Sequence, residues 1–496
     1  MINNVPVRVD RLIPRWTGAA AAAGLLAALL VPAGPVAAAP AGCLDPSAPL
    51  SVEEQRLGAT LPQDGDPSRP QDRPFADLLI DGGGFGGFTP ALTGALCRTA
   101  ALPTARLLVE REGKRLWQAA VDRAQGRHVT GSLPASDDRP LYWTRLKARS
   151  VLRQWTPRFT LTPAQRDALV TLFDKASRGM LGIGYPHGVK RVIMSGFDPY
   201  TLDGGTTGSA PGTVGNNIRH GNPSGATVLA LDGTRYRTKS GRTAVIQAYM
   251  LPVNYTEFAA GYIEDTVGPL MRAGVDASVT VSQAVDSEFW LEQWNGRYHG
   301  VSAGNDKSQP CPNVDGKPQL AVANHGCDTQ VVSRWGGPSS FDLRNPPQWT
   351  TTSLPVKRMI AADTGRTVPR PPGDAWPDQS VAFGVIWHTT YTEFPDCAST
   401  DRVTRNDPPP TTPVPPDPGS CAYSGGGGNY LSNESAYRNT LLRDRLGRHI
   451  PAGHIHTPDM QHFDTPFAIS DATFNAWRTS IVAQTRNLVH VVADDA

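Results

Sequence analysis

The chain has 496 residues, of which 39% are hydrophobic and 19% charged. This is a normal globular balance, in a chain long enough for two domains or one enlarged domain. The formal net charge is +2 and there is no dense basic run, which excludes electrostatic recruitment to nucleic acid or to an anionic membrane. The 49 Gly and 45 Pro exceed the usual share of ~12% and predict many long loops.

The N-terminus has the pattern of a secretory signal peptide over residues 1–41. Arg8, Arg11 and Arg15 precede an apolar stretch over residues 19–31, and small residues follow over residues 36–41. The apolar stretch is too short to span a bilayer as a mature helix. We therefore expect a secreted, extracellular protein that has no membrane association after signal cleavage. An uncleaved N-terminal anchor remains the alternative.

The cysteines are typical of an exported protein with disulfide bonds. Six cysteines allow 15 pairings, and their order along the chain favours three neighbouring pairs. No CxxC or CxxxC spacing indicates zinc binding or thiol redox chemistry. The favoured pairs are Cys43 with Cys97, Cys311 with Cys327, and Cys397 with Cys421.

An N-terminal region over residues 42–185 mixes helical patterns with loops and has no assigned role. Thr162 and Pro163 form a capping residue and a first-turn proline, which predict a helix from Pro163. A run over residues 75–87 resembles a strand followed by GxGxxG, and Glu110 ends a second strand-like run about twenty residues later. A secreted protein rarely meets a dinucleotide, so we interpret this run as a Gly-rich turn.

A second domain over residues 189–496 alternates strands and helices. The pattern predicts strands over residues 189–195, 244–253 and 275–281, with a helix over residues 258–272. Such alternation predicts an α/β fold, here a three-layer α/β/α sandwich with a largely parallel twisted sheet and an added N-terminal region. Ligands of such sheets bind beyond the carboxyl ends of the strands.

The last part of the chain is interrupted by proline-rich segments. Residues 408–418 contain seven prolines and predict an extended linker. A strand is predicted over residues 381–391, and helices are predicted over residues 433–446 and 471–483.

Three short segments contain candidate chemistry. The first contains Phe197 and Tyr200, the second contains Ser432 after four glycines, and the third contains His454 and His456. Glycines allow close backbone approach, and free N–H groups at a helix start can stabilise an oxyanion, so Ser432 is a candidate nucleophile. The alternative is a flexible linker followed by a helix-capping serine. A metal site at these histidines and His462 would need a further ligand that the pattern does not supply.

These segments resemble the pyroglutamyl peptidase I family, also called pyrrolidone-carboxylate peptidases. Five motifs occur in the family's order over residues 189–496, with insertions near residues 201–220 and 365–420. They are Gly196-Phe-Asp-Pro-Tyr200 with Asn222-Pro-Ser224, Leu251-Pro252-Val253, Thr352-Ser-Leu-Pro-Val-Lys357, Gly427-Gly-Asn-Tyr-Leu-Ser-Asn433 with Tyr437, and Gly453-His-Ile-His-Thr-Pro458.

The resemblance implies site residues and a reaction. His456 takes the position of the catalytic histidine, and Glu292 best matches the carboxylate that orients it, with Glu288 nearby as the alternative. The family's oxyanion-linked arginine lies about ten residues beyond the glutamate, where this chain has Ser302, and Arg297 is the nearest arginine, so this role is not assigned. The implied substrate-binding residues, mostly aromatic and suited to a flat pyroglutamyl ring, are Phe197, Tyr200, Tyr430 and Leu431.

Ser432 occupies the position of the family's nucleophilic cysteine. A serine hydroxyl is far less acidic than a thiol and needs a base during attack, which a Ser–His–Glu set supplies. The resemblance therefore implies a hydrolase that removes N-terminal pyroglutamyl residues, or a related cyclic amide, from a peptide or small-amide substrate without metal or cofactor. The alternative is a catalytically inactive relative that retains a binding pocket.

Overall fold

The computed structural model of the chain describes residues 42–63, 66–203, 216–284, 287–298, 300, 302–308, 346–373, 381–399, 401–465 and 467–496. The predicted signal peptide and the predicted Cys311–Cys327 pair lie outside the described residues. None of the helices in these ranges is both long enough and apolar enough to cross a bilayer.

The N-terminal region is mainly helical. Its helix α6 begins at Pro163 as predicted, because the Thr162 side chain accepts a hydrogen bond from the Gln165 N–H at 3.3 Å. Two short strands pair beside the helices. The elements are α1 (Val52–Gln55), β1 (Pro62–Gln63), β2 (Asp66–Pro70), α2 (Phe75–Gly82), α3 (Phe88–Cys97), α4 (Leu102–Ala124), α5 (Arg139–Gln154) and α6 (Pro163–Ser177).

The strand-like interpretation of residues 75–82 is wrong, because these residues form helix α2. Phe75 and Leu79 are four residues apart and both are buried, which is the spacing of one helix face. Glu110 likewise lies within helix α4. The Gly-rich turn is confirmed, since Gly84 has a φ of 79°, a conformation that favours glycine.

The centre of the second domain is a seven-stranded sheet in the order β10-β7-β14-β6-β3-β5-β4. Strands β14, β6, β3 and β5 are mutually parallel, while β4 and β7 run antiparallel to their neighbours β5 and β14. The sheet is thus largely parallel, as predicted. Its strands are β3 (Lys190–Phe197), β4 (Thr234–Arg237), β5 (Thr243–Leu251), β6 (Ala277–Gln283), β7 (Phe289–Glu292), β10 (Val385–His388) and β14 (Ala452–Thr457).

Helices cover both faces of this sheet and complete the predicted three layers. Alternation along β3 sends Val192 and Met194 into one core with α7 and α12, and sends Ile193 into another with α9 and α11. The predicted helix over residues 258–272 is two helices that meet at Gly261, where φ is 81°. The helices are α7 (Pro223–Leu231), α8 (Tyr255–Ala259), α9 (Tyr262–Arg272), α10 (Val356–Ala361), α11 (Leu431–Arg445) and α12 (Ala472–Asp495).

Two smaller sheets lie beside the main sheet. The first pairs β8 (Trp294–Gly296) with β9 (Trp349–Thr351). The second has the order β12-β11-β13, so that the single strand predicted over residues 381–391 is divided between β10 and β11. Its strands are β11 (Tyr391–Phe394), β12 (Val403–Arg405) and β13 (Cys421–Ser424).

Two of the three predicted disulfides lie within the described residues and both are present. Cys43 pairs with Cys97 in the N-terminal region, and Cys397 pairs with Cys421 beside strands β11 and β13. Both bridges link cysteines that are neighbours in the order along the chain, as predicted.

Buried charges join the N-terminal region to the second domain. Asp198, directly after β3, accepts hydrogen bonds from Arg145 at 2.8 Å and from Arg178 at 2.6 Å, and all three side chains are buried. Arg56 similarly pairs with Asp203 at 2.7 Å. The N-terminal region therefore neutralises and holds the segment that follows β3 and contains Tyr200.

Candidate active site

Glu292 and His456 form a buried acid–imidazole pair. They lie on antiparallel strands β7 and β14, in which His456 is opposite Trp290, and His456 Nδ1 is 2.5 Å from Glu292 Oε1. Burial opposes ionisation of the Glu292 carboxyl, but the neighbouring His456 imidazole is the largest opposing influence, and the pKa of Glu292 is held below its usual value. An ionised Glu292 fixes the imidazole of His456 and stabilises its protonated form.

The alternative carboxylate, Glu288, lies elsewhere. Its side chain is near Gly384, where an added Cβ would be 3.2 Å from Glu288 Oε1. Among the described residues, the carboxylate beside His456 Nδ1 is that of Glu292.

Ser432 lies in the first turn of helix α11. The residue that precedes the helix and acts as its N-cap is Tyr430, so Ser432 is not a capping serine. Ser432 Oγ donates a hydrogen bond to the Gly427 carbonyl at 3.2 Å. His456 Nε2 is buried and has no hydrogen-bond partner among the described residues. The structure thus places a hydroxyl at a helix N-terminus, where backbone N–H groups are free.

An open cleft lies beside Ser432. It is bordered by the ends of strands β3, β5 and β6 and by the start of helix α11. All four predicted substrate-binding residues lie on its wall, whereas Glu292, His456 and Arg297 do not. The lining residues are Phe197, Tyr200, Asn222, Val253, Ser282, Gln283, Tyr430, Leu431 and Ser432.

The aromatic walls of the cleft are held in place from behind. Phe197 stacks on Phe258 with ring centroids 6.1 Å apart, and Tyr430 meets the edge of Tyr255 at 5.8 Å. The Tyr430 hydroxyl donates to the Ala303 carbonyl at 2.9 Å. Burial raises the pKa of Tyr200 and of Tyr430, so both phenols are neutral at physiological pH.

Two matches identify the family of the chain. The description "PA0049 N-terminal domain" matches residues 36–174, and "PA0049, C-terminal domain" matches residues 191–461. The chain belongs to the PA0049 family. A Pseudomonas aeruginosa protein described as uncharacterized protein PA0049 is 45% identical over 497 aligned positions, which cover 89% of each chain.

The PA0049-family chain is also similar to solved peptidase structures. A mutant pyrrolidone carboxyl peptidase from Pyrococcus furiosus is 13% identical with a TM-score of 0.34, covering 62% of this chain and 99% of that one. Pyroglutamyl peptidase I from Bacillus amyloliquefaciens is 16% identical with a TM-score of 0.31, covering 62% of this chain and 98% of that one.

A second buried imidazole, His454, lies beside the acid–imidazole pair. His454 Nδ1 is 2.7 Å from Thr280 Oγ1, and its Nε2 is 2.7 Å from Ser282 Oγ. Ligand atoms of Glu292, His454 and His456 lie within 4.8 Å of one another, a spacing that a metal could bridge. However, both ring nitrogens of His454 are hydrogen-bonded to hydroxyls, and Glu292 Oε1 contacts His456. Both nitrogens of His454 are thus already engaged with protein atoms.

His462 does not join this cluster. Its ring stacks on Trp477 with centroids 3.5 Å apart, and its Nδ1 is 3.6 Å from Asp459. The three-histidine metal alternative considered from the sequence therefore has no geometric support among the described residues.

Several residues of the cleft were not assigned from the sequence. Asn222 was noted only as part of a motif, and in the structure its side chain donates to the Asp198 carbonyl at 3.0 Å and accepts from Ser224 Oγ at 2.7 Å. Ser282 and Gln283 lie at the carboxyl end of β6, where a ligand site was expected. Their position at the end of a predicted strand could have indicated these residues. The sequence does not show which residues of neighbouring strands face them.

The glycines before Ser432 pack against the site. An added Cβ at Gly427 would lie 2.9 Å from Glu292 Oε2, and one at Gly425 would lie 2.7 Å from the Trp294 carbonyl oxygen. Asn433 fastens the same region by donating to the Gly296 carbonyl at 2.7 Å. Close approach is therefore the main requirement at these positions, and a positive φ occurs only at Gly428 within the run 425–428.

Substitution Gly425→Ala is expected to lower the free energy of unfolding by about 2–4 kcal/mol, because backbone atoms of strand β8 cannot yield to the new methyl group. Gly87→Ala is the matched control, since an added Cβ there meets nothing within 4 Å. Urea unfolding of both variants provides the measurement. Equal stability of the two variants would show that the Gly425 loop is loosely packed.

Proposed function

We propose that this PA0049-family protein hydrolyses the amide bond that follows an N-terminal pyroglutamyl residue, or a related cyclic amide. The observation that carries the proposal is the position of Ser432 on the wall of an aromatic cleft that also contains Phe197, Tyr200 and Tyr430. The flat rings of Phe197, Tyr200 and Tyr430 on the cleft wall suit a planar five-membered lactam ring.

In the proposed reaction, Ser432 Oγ attacks the carbonyl carbon of the scissile amide. The hydroxyl first turns away from the Gly427 carbonyl, to which it donates in the structure. His456 Nε2 accepts the hydroxyl proton as the C–O bond forms, and Glu292 stabilises the imidazolium through Nδ1. Backbone N–H groups in the first turn of α11 stabilise the negative charge on the former carbonyl oxygen.

The tetrahedral intermediate then collapses. The C–N bond breaks, His456 passes its proton to the leaving amine, and a pyroglutamyl ester remains on Ser432. A water molecule attacks the ester carbonyl with His456 as base, which releases pyroglutamic acid and restores the serine hydroxyl. No step of this proposal uses a metal or cofactor.

One observation favours a second candidate function, a binding protein without turnover. Ser432 Oγ is hydrogen-bonded to Gly427 and not to an imidazole, and His456 Nε2 lacks a partner among the described residues. A protein that only binds pyroglutamyl groups would retain the cleft and lack the nucleophile–base contact.

A chromogenic pyroglutamyl amide distinguishes the two functions. Wild type is expected to release the chromophore, and Ser432→Ala is expected to lose at least ~10³-fold in kcat. Its thermal stability should remain close to that of wild type. Ser432→Cys is the informative companion, because a thiol ionises far more readily than a serine hydroxyl and is the more efficient nucleophile. Turnover by Ser432→Cys with none by wild type would establish the binding protein, and full activity in Ser432→Ala would exclude Ser432 as nucleophile.

A further inference from the structure

Ser282 is a buried cleft residue that the proposed reaction does not use. It lies on strand β6, next to Gln283, and shares the cleft wall with Ser432. Its side-chain oxygen is 2.7 Å from Nε2 of His454, an imidazole that is completely buried. In the family motif that this segment resembles, the position of His454 is a phenylalanine, which cannot make such a bond.

The contacts around His454 support one assignment of its ring proton. We assign the Thr280 Oγ1 proton to the Gly453 carbonyl oxygen, which can only accept and lies 3.3 Å away, so that the Thr280 oxygen accepts from His454 Nδ1–H. Burial, opposed in part by Glu292, lowers the pKa of His454 to about 3, which keeps the ring neutral. Nε2 is then unprotonated and can only accept, so the bond between Ser282 and His454 requires the Ser282 hydroxyl to donate.

This arrangement leaves Ser282 with one kind of free hydrogen-bonding capacity. Its single proton is directed at His454, away from any ligand, and its oxygen lone pairs remain. Among the described residues, the recorded hydrogen-bond contact of Ser282 Oγ is the one with His454 Nε2. A buried acceptor of this kind favours a ligand that brings an N–H group and disfavours one that leaves the oxygen unpaired.

We propose that Ser282 accepts a hydrogen bond from the ring N–H of the bound ligand, and that His454 is a positioning residue which fixes Ser282 as an acceptor. The inference rests on the proposed function for the identity of the ring, a five-membered lactam with an unsubstituted N–H. Ser282 thus selects secondary cyclic amides over carbocyclic rings of the same shape.

Binding to the Ser432→Ala protein tests this selection without turnover. The two probes are L-pyroglutamamide and 3-oxocyclopentane-1-carboxamide, in which a CH₂ group replaces the ring N–H. Isothermal titration calorimetry is expected to give a Kd for the lactam at least about tenfold lower than for the carbocycle. Adding Ser282→Ala is expected to reduce this preference to about threefold or less, by weakening binding of the lactam.

Two further variants distinguish an effect on lactam preference from a general effect on protein folding. Ser278→Ala is the matched control. Ser278 is a buried serine on the same strand, but its hydroxyl bonds to Asn439 and its side chain does not line the cleft. This variant should retain the tenfold preference for the lactam. His454→Phe should reduce the preference, since the released Ser282 hydroxyl can turn its proton towards the cleft. If Ser282→Ala does not fold, Ser282→Gly replaces it, with circular dichroism as the check.

The outcomes for the two proposals differ. A full lactam preference in the Ser282 variant would overturn the role of Ser282 while leaving the proposed function in place. Absence of binding by both probes to the Ser432→Ala protein would overturn the proposed function and this inference together.

Discussion

Substitution Glu292→Gln is expected to lower kcat for a pyroglutamyl amide by about 10³- to 10⁴-fold. Glutamine has nearly the same shape as glutamate, so the buried site is filled, but the negative charge beside His456 Nδ1 is lost. The amide can also present its NH₂ group to Nδ1, which favours the tautomer with the proton on Nε2. That tautomer cannot accept the proton of Ser432.

Glu288→Gln is the matched control for this prediction. Glu288 precedes strand β7 in the same segment, but its side chain lies near Gly384 and not beside His456. We expect kcat within about twofold of wild type, the small effect usual for a charge away from the reacting groups. Steady-state kinetics on the chromogenic amide measures both variants. A comparable loss in both, or in neither, would remove Glu292 from its assigned role.

Substitution Asp198→Asn is expected to lower the free energy of unfolding by about 3–5 kcal/mol. The Asp198 carboxylate is buried and bonded to both Arg145 and Arg178. Neutralising it leaves two buried guanidinium groups without this partner, although Arg178 keeps its pair with Asp174 at 2.7 Å. Asp198 directly follows Phe197, so the cleft wall should loosen as well.

Glu110→Gln is the control for a charge pair without burial. Glu110 pairs with Lys114 one turn along helix α4, and both side chains are exposed, so a loss of at most about 0.5 kcal/mol is expected. Urea unfolding at constant pH compares the two variants. A loss below about 1 kcal/mol for Asp198→Asn would show that the N-terminal region does not support the cleft through this contact.

Structural features that depend on residues close together in the sequence could be predicted. The cap at Thr162 and Pro163 gave the start of α6, and the neighbouring order of the cysteines gave the two described disulfides. The segment over residues 75–82 was misread, since a short apolar run fits either a strand or a helix until its packing partners are known.

Only those residues of the site that belong to short sequence motifs could be predicted. Ser432, His456 and Glu292 were named from their motifs, and the structure brings Glu292 and His456 together. The bonds of His454 to Thr280 and Ser282 depend on the pairing of β6 with β14, a contact between residues more than 170 positions apart. No local pattern specifies such a register, so the polar face shared by these strands was not foreseen.

The most direct measurement of the central claim is the trapping of a covalent intermediate. Wild-type protein is mixed with a pyroglutamyl ester or chromogenic amide, quenched in acid during the first turnover, digested and analysed by mass spectrometry. We expect a pyroglutamyl group on the peptide that contains Ser432, and none on the same peptide from Ser432→Ala. A pyroglutamyl group on a different residue, or wild-type turnover by the alanine variant, would contradict the assignment of Ser432 as the nucleophile.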